Sequence, residues 1–324
     1  MPLSPSVNIG IQIGVALIVL LIMYIVTLAV LNIDSIVNTP SIVIKQKETT
    51  VLLDGYAGPT MLTELQYNTV NPYVENYKRI ARSANQNSGA SFTYQFWLKV
   101  ENPDDNLFKN LTLIHKGDRN NYRVGYYEPV DSDARQFKLI KKLPPAPYVA
   151  CPSISFGRSY KELVVYFNSN KDVANAIHIN MDVDREPSAR KNLLSLLPVN
   201  WTLLTFVFQD NYSFTQNSEN GIKFTFYVND VPYWTETSSS APLLKDDVLV
   251  QNDGDVSFLP NAKNTTEFMK MGNVKYYNYA LNQSEVSSVF QNGPPTYAAS
   301  KTENLRAATP AYIGALNKID IYNY

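Results

Sequence analysis

The stretch Phe92-Thr-Tyr-Gln-Phe-Trp-Leu-Lys-Val100 alternates with a period of two. Phe92, Tyr94, Phe96, Leu98 and Val100 fall on one face, and Thr93, Gln95, Trp97 and Lys99 on the other. Successive side chains of a strand point to opposite faces, so this is a half-buried strand with its apolar side on a core. Ile222-Lys-Phe-Thr-Phe-Tyr-Val-Asn229 repeats the pattern, with Ile222, Phe224, Phe226 and Val228 inward. Leu163–Phe167 and Leu203–Phe208 are apolar on both faces, as central strands of a sandwich are. Further strand-like runs lie at 111–114, 122–126, 154–156, 176–180 and 268–277. Turn residues such as Asn102-Pro103, Gly117-Asp118 and Asn229-Asp230 separate them. Many short strands with this punctuation predict an all-β sandwich of two antiparallel sheets. One short helix is predicted near the C-terminal end. Asn282 is its N-cap, Glu285 completes a capping box, Leu281 and Val286 form a hydrophobic staple, and Gly293 before two prolines stops it.

Composition narrows the function classes. With 28 Lys+Arg against 29 Asp+Glu the net charge is −1, without the basic excess of a nucleic-acid binder. A single cysteine, Cys151, excludes an intrachain disulfide framework. Two histidines, His115 and His178, leave little material for a His-based zinc site. The chain has 22 Tyr and 14 Phe, residues that favour strands.

One segment stands apart. Residues Ile9 to Leu31 read IGIQIGVALIVLLIMYIVTLAVL, without a charge. About 20 such residues span a bilayer core of roughly 30 Å, so a transmembrane helix is predicted over 9–31. All its faces are apolar, unlike a buried amphipathic helix, and no basic region precedes it, unlike a signal peptide. Gly10 and Gly14 form a GxxxG pair for helix packing. Lys45 and Lys47 follow the span, which favours a body on the cytosolic side. The unpaired Cys151 is read the same way, since exported bodies usually carry disulfides.

Three blocks of the body carry a resemblance. Ser91-Phe-Thr-Tyr-Gln-Phe-Trp-Leu98 resembles the opening strand of laminin-G-like, concanavalin A-like jelly-roll domains. Leu197-Pro-Val-Asn-Trp201 with Phe226-Tyr-Val-Asn-Asp230 resembles their central motif. Gly272-Asn-Val-Lys-Tyr-Tyr-Asn-Tyr-Ala-Leu-Asn-Gln-Ser-Glu-Val286 resembles their closing strand and helix. Together the blocks cover about residues 85–294 in the family's order. With the apolar span and the punctuation around it, the chain divides into a flank (1–8), a transmembrane helix (9–31), a juxtamembrane stalk with a lead-in strand (32–84), the domain whose resemblance is concanavalin A-like (85–294) and a C-terminal extension (295–324) read as packing on the body or on a partner.

An anchor before such a domain is similar to the membrane-anchored members of large DNA viruses. That likeness implies a non-enzymatic virion component of the minor capsid type. Its lipid contact would run through 9–31, its body would face the capsid, and its partners would be other capsid or membrane proteins. The alternative is a surface lectin binding host glycans. A glycoside hydrolase is the third reading. The superfamily's glucanases carry alternating carboxylates, and Asp182-Val-Asp184-Arg-Glu186 would put three on one strand face. The shorter Asp182 and the following Pro187 read instead as a solvated loop. Aromatic stacking on a sugar has Trp97, Trp201 and Trp234 as candidates. Trp97 and Trp201 match core positions of the family, which leaves Trp234. No cofactor is expected. Calcium would have to use loop acids such as Asp104, Asp105, Asp246, Asp247, Asp253 and Asp255, which lack an ordered ligand spacing. No phosphate-binding loop, nucleophile elbow or zinc motif is present.

Overall fold

The expected strands pair into two antiparallel sheets, except the run at 122–126, which lies outside the described residues. The computed structural model describes residues 19–24, 47–83, 90–117, 139–141, 150–170, 175–180, 200–211, 220–236 and 247–306. The first sheet runs in the order β1 (Thr49–Ala57), β13 (Met269–Tyr277), β3 (Ser91–Val100), β9 (Thr202–Asn211), β10 (Gly221–Val228) and β11 (Val231–Glu236). The second runs β2 (Gln66–Tyr67), β12 (Asp255–Phe258), β4 (Thr112–Gly117), β6 (Ala150–Phe156), β7 (Glu162–Phe167), β8 (Asn175–Asn180) and β5 (Leu139–Lys141). Among the described residues from 47 on, short helices accompany them: α1 (Pro59–Glu64), α2 (Asp105–Phe108), α3 (Gln283–Gln291) and α4 (Lys301–Arg306).

One apolar core lies between the sheets. Phe92, Tyr94, Phe96, Leu98 and Val100 of β3 all enter it, as do Ile222, Phe224, Phe226 and Val228 of β10. The register explains the aromatic richness. Phe92 pairs with Phe208 and Phe208 with Phe224; Tyr94 pairs with Phe206 and Phe206 with Phe226. Ring centroids along these rows lie 4.8 Å (Phe92–Phe208), 5.1 Å (Phe208–Phe224) and 4.9 Å (Phe206–Phe226) apart. Such contacts add about 0.5–1.5 kcal/mol each beyond area burial.

β7 and β9 are apolar on both faces, and each feeds two clusters. Leu163, Val165 and Phe167 join the main core, whereas Val164 and Tyr166 pack with Ala150 and Ala176 on the opposite face. Val207 of β9 packs under α3 with Tyr227, Tyr277, Leu281 and Val286. That helix forms as expected. Asn282 accepts from the Glu285 N–H at 2.9 Å, and Glu285 accepts from the Asn282 N–H at 2.9 Å. Gly293 follows the helix at φ +79°, a left-handed conformation that favours glycine.

Two expectations change. β3 is buried on both faces except at Lys99, not half-buried, because α3 lies on its outer side. Residues 49–67, read as part of a stalk with a lead-in strand, supply β1, α1 and β2 of the sandwich. Register shifts after Val51 and after Leu53 break the period of two in β1 and hid its length in the sequence.

The chain divides into two units, 1–46 and 47–324. In the first, residues 19–24 are helical, and all six apolar side chains are exposed. Among the described residues no helix is long and apolar enough to cross a membrane. Outside 19–24, the predicted span, including Ile9, Gly10, Gly14 and Leu31, lies outside the described residues.

Candidate functional site

The outer face of the six-stranded sheet carries a group of aromatic and charged side chains. Register alone assembles it. Tyr56 of β1 pairs with Gly272 of β13, Gly272 with Trp97 of β3, and Trp97 with Leu203 of β9. One step of two residues along the same face lie Lys270 and Lys99, which are direct cross-strand partners. Continuing the β3–β9 register by one residue puts Trp201 beside Lys99. Tyr56 and Trp201 thus stem from strands about 14 Å apart. Their rings nevertheless meet, with centroids 5.9 Å apart and planes inclined at 54°, so they lean together across β13 and β3. Both residues are half-buried.

Two like charges facing each other across a sheet repel. Glu101, one residue past β3, resolves this. Its Oε1 accepts from Lys270 Nζ at 2.9 Å and lies 3.5 Å from Lys99 Nζ. The hydrogen bond from Lys270 holds the Glu101 carboxyl below its usual range, and the same bond raises the Lys270 ammonium. Lys270 Nζ also stands 5.8 Å from the Tyr56 ring centroid. The result is a pair of inclined, part-exposed rings beside a fixed carboxylate and two ammonium groups.

The tryptophans separate. Trp97 is buried and stacks on Phe290 of α3 at 5.9 Å and 20°, the packing role expected of it. Trp201, also expected in the core, instead lies on the outer face against Tyr56, because it sits two residues before outward-facing Leu203. Trp234 stands opposite Phe226 in β11, and its side chain lies outside the described residues.

Asp182, Asp184 and Glu186 lie outside the described residues. The outer face of the seven-stranded sheet carries a row of Gln66, Ser257, His115, Ser153, Tyr166 and Ala176. Glu162 and Asp255 share this face but stand three strand spacings apart, at least about 14 Å, too far for either glycosidase geometry. Each has other partners. Glu162 accepts from the Arg158 N–H at 2.8 Å and lies 3.1 Å from His178 Nδ1. Burial pushes this carboxyl up, but His178 and the Arg158 main chain outweigh it and leave it below its usual range. Asp255 accepts from Gln66 and Asn68 side chains.

The acids considered for calcium are similarly engaged. Asp104 caps α2, with Asp105 in that helix's first turn. Asp247 accepts from Ser169 Oγ and the Val248 N–H, and Asp253 forks onto Arg82. Asp246 lies outside the described residues. No cluster of three or more potential His, Cys, Asp or Glu ligands occurs among the described residues. Cys151 is buried, and burial pushes its thiol up to about 12, so it is inert.

Sequence reasoning named Trp201 but missed its partners. Tyr56 lay in a segment read as a stalk. Lys99, Glu101 and Lys270 carry no motif and meet only through strand register.

No family model and no curated protein matches the chain. Among solved structures it is similar to the receptor-binding domain of botulinum neurotoxin C/D mosaic serotype (10% identity, 63% of this chain, 36% of that one, TM-score 0.37). It is similar also to the serotype G binding domain (14%, 76%, 46%, 0.38). A third neighbour is the serotype D ligand binding domain in complex with N-acetylneuraminic acid (10%, 65%, 39%, 0.37). The chain spans less than half the length of each of these structures.

Proposed function

We propose that the chain is a membrane-anchored, non-enzymatic recognition protein whose sandwich, of concanavalin A-like jelly-roll type, binds glycans. The observation that carries this reading is the Tyr56–Trp201 pair beside Glu101, Lys99 and Lys270. A pyranose ring has an apolar C–H face and a rim of hydroxyls. Aromatic planes take the first, and fixed charged groups accept from or donate to the second. Anchorage rests on residues 9–31, of which the described turn at 19–24 exposes only apolar side chains. The full chain in lipid nanodiscs, applied to a glycan array, tests the reading. Reproducible saccharide binding that falls at least tenfold in Tyr56→Ala and Trp201→Ala supports it. Binding that both variants retain refutes the site.

A second reading is a tether between a membrane and other proteins, such as a minor capsid component. It is favoured by Lys45 and Lys47 after the span and by the near-zero net charge. Protease protection on intact membranes distinguishes the two. A shielded body supports the tether, and an accessible one the surface lectin.

A further inference from the structure

The chain from 294 to 306 leaves α3 and returns along the outer edge of β1. Pro295 passes over Gly272, where an added Cβ would lie 2.4 Å from Pro295 Cγ and 3.0 Å from the Gly55 carbonyl. Gly272 needs no left-handed backbone, so what demands glycine there is the passage of Pro295. Tyr297 then crosses Gly55, whose φ of +79° and missing side chain make room for the ring, and its hydroxyl donates to Asp54.

The edge of β1 is closed group by group. The Tyr56 N–H donates to the Tyr297 carbonyl at 2.9 Å, and the Tyr56 carbonyl accepts from the Ala299 N–H at 2.7 Å. The Asp54 N–H donates to Asn304 Oδ1 at 2.9 Å, and Asn304 Nδ2 donates to the Asp54 carbonyl at 3.3 Å. Asn304 is buried and imitates a neighbouring strand with its side-chain amide. Lys301 Nζ meets Glu64 at 2.7 Å, anchoring the far end to α1.

We infer that residues 295–306 form a strap that positions Tyr56, and that Pro295, Tyr297 and Asn304 are positioning residues of the recognition site. Both main-chain polar groups of Tyr56 are held by the strap, and Pro295 fills the hollow beside its Cβ. The ring is thereby fixed against Trp201. Hydrogen bonds at Asp54 and Tyr56 leave the strand no freedom to rock the ring away. This rests on the reading of Tyr56 and Trp201 as the ligand platform.

The test uses the full chain in nanodiscs with Asn304→Ala and Gly272→Ala. Hydrogen exchange of the peptide covering 53–57 should speed up at least tenfold in both, since the Asp54 and Tyr56 amides bond to the strap. Acrylamide quenching of Trp201, taken as the part of the signal lost in Trp201→Phe, should increase. Affinity for the saccharide found on the array should fall about fivefold in Asn304→Ala, yet not fall further when Asn304→Ala is added to Tyr56→Ala. Faster exchange with unchanged Trp201 quenching and unchanged affinity overturns the inference and leaves the strap an edge cover. If the wild type binds no saccharide, the glycan reading fails, and Trp201 quenching alone decides whether the strap positions Tyr56.

Discussion

Two buried lysines should make the protein more stable as the solution turns mildly alkaline. Lys116 is 6% exposed, with its ammonium donating to the Asn252 carbonyl, and burial pushes its pKa down to about 8. Lys78 is 7% exposed, lies over the Tyr67 ring at 4.3 Å, and is likewise pushed down to about 8 by burial, with Asp54 offsetting part of the effect. In the unfolded chain both titrate near 10.5. Below about pH 8 both states are protonated, and the folded state bears the whole cost of burying each charge, about 3 kcal/mol apiece. Between about 8 and 10.5 the unfolded chain binds more protons than the folded one, so stability rises with pH. From pH 7 to 9 each lysine contributes a gain of about 1 kcal/mol. Cys151 acts in the opposite sense, because its folded pKa is raised, and it removes about 0.4 kcal/mol by pH 9. The net expected rise is about 2 kcal/mol. Above pH 10 the buried tyrosines Tyr67, Tyr276 and Tyr277, whose pKa values burial raises, reverse the trend. Urea midpoints of the wild type and Lys116→Met, measured from pH 7 to 9, check this. Lys116→Met should lose about half the rise. A variant that keeps the full slope refutes the assignment of the cost to Lys116.

Three further outcomes follow from named contacts. Phe206→Ala removes the centre of the aromatic row through Tyr94 and Phe226 and should cost about 3–5 kcal/mol in denaturant unfolding. Asn282→Ala leaves the Glu285 N–H at the start of α3 without its cap and should cost about 0.5–2 kcal/mol, read as a lower thermal midpoint. Glu101→Gln leaves Lys99 and Lys270 facing each other. It should lower stability by less than about 1 kcal/mol, and the loss should shrink in high salt, which distinguishes charge repulsion from lost packing.

Much of the fold was legible because it depends on period and on local stop signals. The alternation of Phe92–Val100 and Ile222–Val228 set two inward faces, and both are found in the core. Asn282, Glu285 and Gly293 bounded α3 by chemistry that acts within one turn. What escaped depends on non-local pairing. Bulges in β1 scrambled its alternation, so Tyr56 gave no strand signal. Lys99 and Lys270 stand 171 positions apart in sequence, and only the β3–β13 register makes them neighbours. A period can tell which way a side chain points, but not which residue it meets.

The coverage of the six-stranded sheet bears on where a ligand can approach. Its outer face is largely covered by the chain's own later residues. α3 lies over Trp97, Val207 and Tyr277, and Thr93 is sealed by the Tyr279 carbonyl and the Leu281 N–H. The strap takes the β1 edge and the hollow at Gly272. The partial cover ends at Tyr56, Trp201, Lys99 and Lys270, where charged side chains join the aromatic ones. A sheet face that needed only to be protected would continue under the same helix or carry scattered surface charges. Here the two lysines are locked by one carboxylate, and the two rings are brought together from strands about 14 Å apart. Order of this kind at a partly open surface restricts side chains that would otherwise be free, a cost that folding alone does not require at a surface. A ligand that meets a preformed platform avoids that cost on binding, which is the physical argument for the recognition site proposed there.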